Sequence, residues 1–222
     1  MRTTPPAPLL LDTGRLQSLS DGIFSIVMTL LVFEINLPAP EHFTTLSAAL
    51  LALWPKFLAY AISFALLGIY WMGQRTGFQY IPRADPAYHW LTILFFACVS
   101  LVPFSAKVLG RFPYDRLALI LYGLNLTVIG LMFYVKWSYA AAGRRLISDD
   151  TPDWIIRFAK LRSLLAPACY LIAIACVFIH PAITLALYAL VPALYIVPGL
   201  QTYWMRLAGW PGFGSSTKDR AP

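Results

Sequence analysis

Apolar residues in this chain come in long runs separated by short polar stretches. Six segments approach or reach the roughly 20 mostly apolar residues that a helix needs to cross a bilayer: 16–37, 50–72, 89–109, 117–137, 163–180 and 182–204. His180 and Pro181 separate the last two, so these are expected to form a tight hairpin. The first run is longer than the apolar part of a signal peptide and carries Asp21 early. We read it as a retained helix. Within it Ile26, Leu30 and Phe33 recur at i, i+4 and i+7, which places them on one stripe, with Thr29 on its edge. At 1.5 Å per residue the stripe covers about 10 Å of depth. Periodicity alone reads it as a packing face.

Composition narrows the class further. Of 222 residues, 59% are apolar and 12% charged, against roughly 45–50% and 25% in soluble proteins. So few charges cannot cover a soluble globule, and disorder would need the opposite balance. The fold class expected is an all-α membrane protein with six transmembrane helices, with 1–14 as an amino-terminal segment, 15–204 as the membrane domain and 205–222 as a tail. Residues 1–12 and 209–222, rich in Pro, Gly, Ser and Thr, are expected to be mobile.

The net charge of +7 then sets an orientation. Of the 17 Lys and Arg, only Lys56, Lys107, Arg111 and Arg116 fall beside the first, third and fifth loops. The rest lie at the two ends and beside the second and fourth loops, Arg75, Arg83 and Lys136 among them. The positive-inside rule makes both termini cytoplasmic, as an even number of spans requires. The charge needs no nucleic-acid partner: no zinc-finger spacing, RNA-binding stretch or Gly-rich phosphate loop accompanies it. In the fourth loop, Thr151-Pro152-Asp153 reads as a helix start. The segment from Trp154 to Arg162 is either a basic amphipathic turn at the interface or an early start to the fifth span.

Candidate chemistry is sparse. Cys98, Cys169 and Cys176 sit inside apolar runs with no partner at ligand spacing and read as packing residues. His42, His89 and His180 are scattered near span ends, so no catalytic constellation, metal centre or cofactor site is expected, and the protein is not read as an enzyme. Charges inside membrane helices are functional candidates by default. The first span carries Arg15, Ser20 and Asp21 at one end and Glu34 and Asn36 at the other. The latter two read first as snorkelling residues. Asp21 can also be read as a carboxylate favoured by the helix dipole.

These residues carry a resemblance. Arg15-Leu-Gln-Ser-Leu19-Ser20-Asp21 resembles the Arg-x-x-x-Phe-Ser-Asp signature that opens the first helix of the transmembrane-protein-175 family. That family comprises lysosomal potassium channels and their single-repeat prokaryotic relatives. Ile26 to Pro38, Ser63-Phe64, Tyr70-Trp71 and Trp90 to Phe104 are similar to the family's first three helices. Two positions depart: the signature phenylalanine is Leu19, and a histidine usual three residues after Tyr-Trp is Gln74. The departures bear on the polar network around that position. The resemblance implies a homotetramer in a prokaryotic inner (plasma) membrane, permeable to K+ and other monovalent cations, its pore lined by four copies of the first helix. Ile26, Thr29, Leu30 and Phe33 would face that pore as an apolar constriction, the Thr-Val-Gly-Tyr-Gly loop being absent. Arg15, Ser20, Asp21, Trp71 and Gln74 would form a scaffold network, with Arg15 and Asp21 a buried pair. K+ in transit and membrane lipids are then the partners expected. A secondary transporter, with Pro192 and Pro198 as helix breaks, is the alternative.

Overall fold

The computed structural model describes residues 10–37 and 45–196. Among these are five helical segments long and apolar enough to cross a membrane, and a sixth, shorter apolar helix. The chain opens with β1 (Leu11–Asp12), followed by α1 (Gly14–Leu30), whose last turn tightens to a 3-10 helix at Leu31–Glu34. A short α2 (Leu46–Ala52) leads into α3 (Trp54–Tyr80), and β2 (Arg83–Ala84) comes next. Then come α4 (Pro86–Ser100), α5 (Val102–Arg111), α6 (Arg116–Ala141), α7 (Asp153–Cys176) and α8 (Pro181–Ile196). The expected end of the sixth span, the 205–222 tail and the outermost amino-terminal residues lie outside the described residues, as does Pro198.

Local chemistry explains most helix starts. Thr45, Asp85 and Asp115 each accept a backbone N–H three residues on, at 3.3, 2.8 and 3.0 Å, which satisfies a donor the helix cannot. Pro55 and Pro86 occupy first-turn positions, where the missing N–H costs nothing. The expected third span is broken in two at Leu101. Pro103 lacks an N–H for the carbonyl of Val99, so the hydrogen-bond ladder restarts one turn on. At the end of α6, Gly143 and Arg144 both adopt positive φ (60° and 54°) and reverse the chain.

Boundaries differ from the apolar runs where polar residues find partners. The second span continues to Tyr80 instead of 72, carrying Gln74 and Arg75 inside α3. The fifth begins at Asp153 and runs unbroken to Cys176, so the early start is the one adopted. The helix begins one residue later than the expected first position, Pro152. Arg144 secures this start, donating to the Asp149 and Thr151 carbonyls and pairing with Asp153 at 2.6 Å. Lys136, read as a loop cation, lies within α6 and is 2% exposed.

The small sheet was not legible in the pattern. β1 pairs antiparallel with β2, Leu11 with Ala84 and Asp12 with Arg83. Beside it the Thr13 hydroxyl donates to the carbonyl of Ile81 at 3.0 Å. This fastens the start of α1 to the α3–α4 connection. On the far side of the bundle, α6 lies close to α7 and α8 at two glycines. A Cβ at Gly123 would collide with the Tyr188 hydroxyl, and one at Gly130 would approach Pro167 to 2.8 Å. Small residues permit such close approach where no hydrophobic effect drives helices together. The core between them is aromatic, with Tyr122, Tyr170 and Tyr188 fully enclosed.

Candidate functional site

Helix α1 divides into two faces. Leu16, Ser20, Phe24, Val27 and Leu31 are buried against α3 and α4, none more than 4% exposed. The other face is turned away from the bundle: Ile26, Leu30 and Phe33 are 59, 44 and 69% exposed. Thr29 is exposed beside them, its hydroxyl 2.8 Å from the Ile26 carbonyl and 3.0 Å from that of Ser25. That hydroxyl donates back to its own helix, so its oxygen is left to accept from outside. The stripe therefore offers apolar bulk interrupted by an acceptor, on a surface that this chain does not cover.

Two polar links hold α1 in this rotation. At the Arg15 end, the Trp71 indole N–H donates to the Asp21 carboxylate at 2.7 Å, and the Arg75 guanidinium sits 5.8 Å above the Trp71 ring. Arg15 itself is exposed and joins no ion pair among the described residues. The expected buried Arg15–Asp21 pair is thus replaced by a link from α1 to α3, because the six-residue spacing puts the two side chains on different sides of the helix. At the other end Glu34 does not merely snorkel. It pairs with Lys107 of α5 at 3.0 Å, while Lys56 of α3 donates to the Asn36 carbonyl at 2.8 Å.

The remaining network residue, Gln74, is buried at 4% exposed and does not reach Asp21. Its side-chain oxygen accepts from Lys136 of α6 at 2.9 Å. Sequence reasoning missed Lys136, since a lysine at the end of an apolar run ordinarily reaches for the interface. The one available signal was its flanking by Phe133, Tyr134 and Trp137.

Near the same end, Asp85 joins α4 to α6. It accepts from the Tyr139 hydroxyl at 2.7 Å and the Tyr88 N–H at 2.8 Å, and pairs with Arg145 at 3.1 Å. Burial alone would raise its carboxyl. The Tyr139 and Tyr88 bonds and the Arg145 charge outweigh that and hold it below its ordinary 3.8. A cavity of about 430 Å³ opens between α3, α6 and α7, lined by Met72, Phe133, Trp137, Phe158 and Arg162 among others. No α1 residue lines it. Among the described residues no cluster of three metal-ligating side chains occurs.

Several apolar crossing helices around an aromatic core define a multi-pass helical membrane protein. The sequence profile described as endosomal/lysosomal potassium channel TMEM175 matches residues 15–103. The chain is 33% identical over 178 residues to a potassium channel of Chamaesiphon minutus, covering 78% of this chain and 88% of that protein. A potassium channel of Streptomyces collinus is 28% identical over 188 residues, covering 83% and 91%. Human endosomal/lysosomal proton channel TMEM175 is 30% identical over 182 residues, which span 74% of this chain and 36% of the human protein. The crystal structure of a lysosomal potassium-selective channel TMEM175 homolog from Chamaesiphon minutus superposes with a TM-score of 0.74 at 29% identity, covering 82% of this chain and 95% of that one. The chain belongs to the TMEM175 potassium-channel family.

Proposed function

We propose that this chain is one subunit of a potassium-permeable cation channel, six helices to the subunit, in which four copies of α1 enclose the pore. The observation that carries the reading is the exposure of Ile26, Leu30 and Phe33 while the opposite face of the same helix is sealed. One helix cannot surround an ion path, so a face left bare by its own bundle is suited to meet its symmetry mates. The relatives named potassium channels support the same ion.

A ring of four Ile26 side chains makes a narrow apolar constriction that can close by dewetting. An ion crossing it must thin its hydration shell. Potassium holds water less tightly than sodium, so a dry ring favours it, and the Thr29 oxygens next to the ring replace part of that water. Selectivity of this kind is modest. Asp21 and Trp71, with Ser20 on the buried face, act as scaffold for α1, and no catalytic chemistry is involved. Both termini face the cytoplasm of a prokaryotic cell, with the chain in the inner membrane, in contact with lipid.

A secondary transporter is favoured by less. Pro192 lies inside α8, but the helix runs on through it, residues 182–196 carry no Asp, Glu, Lys, Arg or His, and the cavity between α3, α6 and α7 is mainly apolar. Purified protein in liposomes under a potassium gradient separates the readings. A channel gives a large conductance without co-substrate, and cross-linking should trap tetramers. A slow, saturable flux would overturn the channel assignment.

A further inference from the structure

The ammonium of Lys136 is enclosed by side chains of two other helices, α3 and α4. It lies 4.7 Å from the ring centre of Phe95, 5.4 Å from Tyr88, 5.8 Å from Phe96 and 6.0 Å from Phe78, and it donates to Gln74 at 2.9 Å. Among the described residues no carboxylate pairs with it. Four π faces and one amide oxygen therefore stand in for water around a cation. The amide's orientation is forced. A protonated lysine only donates, so toward the ammonium Gln74 must present oxygen, and its side-chain nitrogen is left buried without a partner. The chain tolerates that unsatisfied donor and a desolvated lysine at the same point. Packing alone would be served better by a methionine.

Two of the cage rings reach onward. Phe95 and Phe96 of α4 also hold Phe24 of α1, with ring centres 6.3 and 6.5 Å apart. Phe24 is 1% exposed and lies two residues before Ile26, on the other side of the helix. Contacts thus run from Gln74 on α3, through Lys136 on α6 and the ring pair on α4, to the buried face of α1.

We infer that Lys136 is a positioning residue for conduction: its caged ammonium fixes Phe95 and Phe96, these fix Phe24, and so the rotation that presents Ile26 and not Val27 to the ion path. This rests on the reading that α1 lines the pore. The charge is what orders the cage, since cation–π attraction holds each ring face toward one point, whereas an alkyl group leaves the rings free to tilt. Released rings let Phe24 shift, and α1 can turn toward Val27.

The test uses the full-length protein in liposomes, with Cys98, Cys169 and Cys176 replaced and a cysteine introduced at Ile26 or at Val27. A cationic methanethiosulfonate is the probe. With Lys136 in place, Ile26→Cys should be modified, with block of current, far faster than Val27→Cys. If Ile26→Cys is unreactive and current is unaffected, the pore reading fails before Lys136 has been touched. Adding Lys136→Met should reduce the ratio of the two rates roughly tenfold, the scale of a lost cation–π contact in a dry site. The potassium–sodium reversal potential should move with it. A folded Lys136→Met protein with unchanged ratio and reversal potential overturns the inference. Should that variant not fold, Lys136→Ala with propylammonium decides the matter, with 1-propanol as the uncharged filler. Recovery of the ratio by the amine and not by the alcohol supports the inference. Equal recovery by both, or recovery by neither, overturns it.

Discussion

The indole N–H of Trp71 meets the carboxylate of Asp21 at 2.7 Å, fifty residues apart in the chain. That bond ties the first turns of α1 to the far half of α3. Asp21 is exposed, so water competes for it and the bond should be modest in energy. Trp71→Phe keeps an aromatic ring and removes the donor. It should lower thermal stability by about 1 kcal/mol, the typical net value of one hydrogen bond. Asp21→Asn keeps an acceptor and should lose less. Melting curves in detergent check the order of the two, and a larger loss for Asp21→Asn would mean that the charge and not the bond matters.

At the constriction, Ile26→Asn would put an amide where each subunit offers a dry side chain. Conductance should rise because the dehydration barrier falls, and preference for potassium should fall with it. Val27 is about 100° round the helix and 4% exposed. Val27→Asn should instead lower stability or expression, by about 1–3 kcal/mol for a buried amide. Reversal potentials in mixed potassium and sodium decide: unchanged conductance and selectivity in Ile26→Asn would remove Ile26 from the ion path.

The Glu34–Lys107 pair sits at the other end of α1. Lys107 is half exposed, and an exposed pair contributes about 0–1 kcal/mol. Lys107→Met should therefore hardly change the melting temperature. It should, however, leave four unpaired Glu34 carboxylates around the proposed pore mouth. Cation conductance should rise at low ionic strength, and the gain should vanish in high salt as the field is screened. A gain that persists undiminished in about 1 M salt would point to altered structure instead of electrostatic attraction.

Asp85 gives a pH dependence with a definite sign. Its carboxyl is held below 3.8 in the folded protein, so its contribution is fully present at neutral pH. As pH falls, that contribution begins to fade near the unfolded value and is lost through the lower, folded one. Stability should thus decline only under acid conditions, below about pH 4. Asp85→Asn should flatten that limb while lowering stability at pH 7, since Arg145 and Tyr139 lose a charged acceptor. A melting temperature of Asp85→Asn that equals the parent at pH 7 would show the clamp to be idle.

Close helix contact supplies a last check. Gly130→Ala places a methyl 2.8 Å from Pro167 and should destabilise by about 1–3 kcal/mol through overpacking. Gly68→Ala, with nothing within 4 Å of the new Cβ, should be neutral or slightly stabilising in mid-helix. Thermal unfolding of the two variants side by side tests whether α6 and α7 are as close as described.

Apolar runs made the membrane class and the rough positions of the crossing helices readable, because a bilayer imposes one length and one polarity on any helix that spans it. Period and spacing also placed Ile26, Leu30 and Phe33 on a common stripe, since a single helix is a local structure. What the runs could not show is where a polar residue is satisfied. Gln74 and Lys136 are 62 residues apart, and each alone reads as the end of a span. Only when the fold brings α3 and α6 within side-chain reach does each supply what the other lacks, so the helices run on past the apolar windows. The same holds for Asp21, whose partner proved to be Trp71 and not Arg15, and for β1, which has no strand to pair with until the α3–α4 connection is brought beside it. Local pattern determined which segments are helices. Long-range packing decided how each helix is turned, because rotation about a helix axis costs nothing until side chains from other helices meet it.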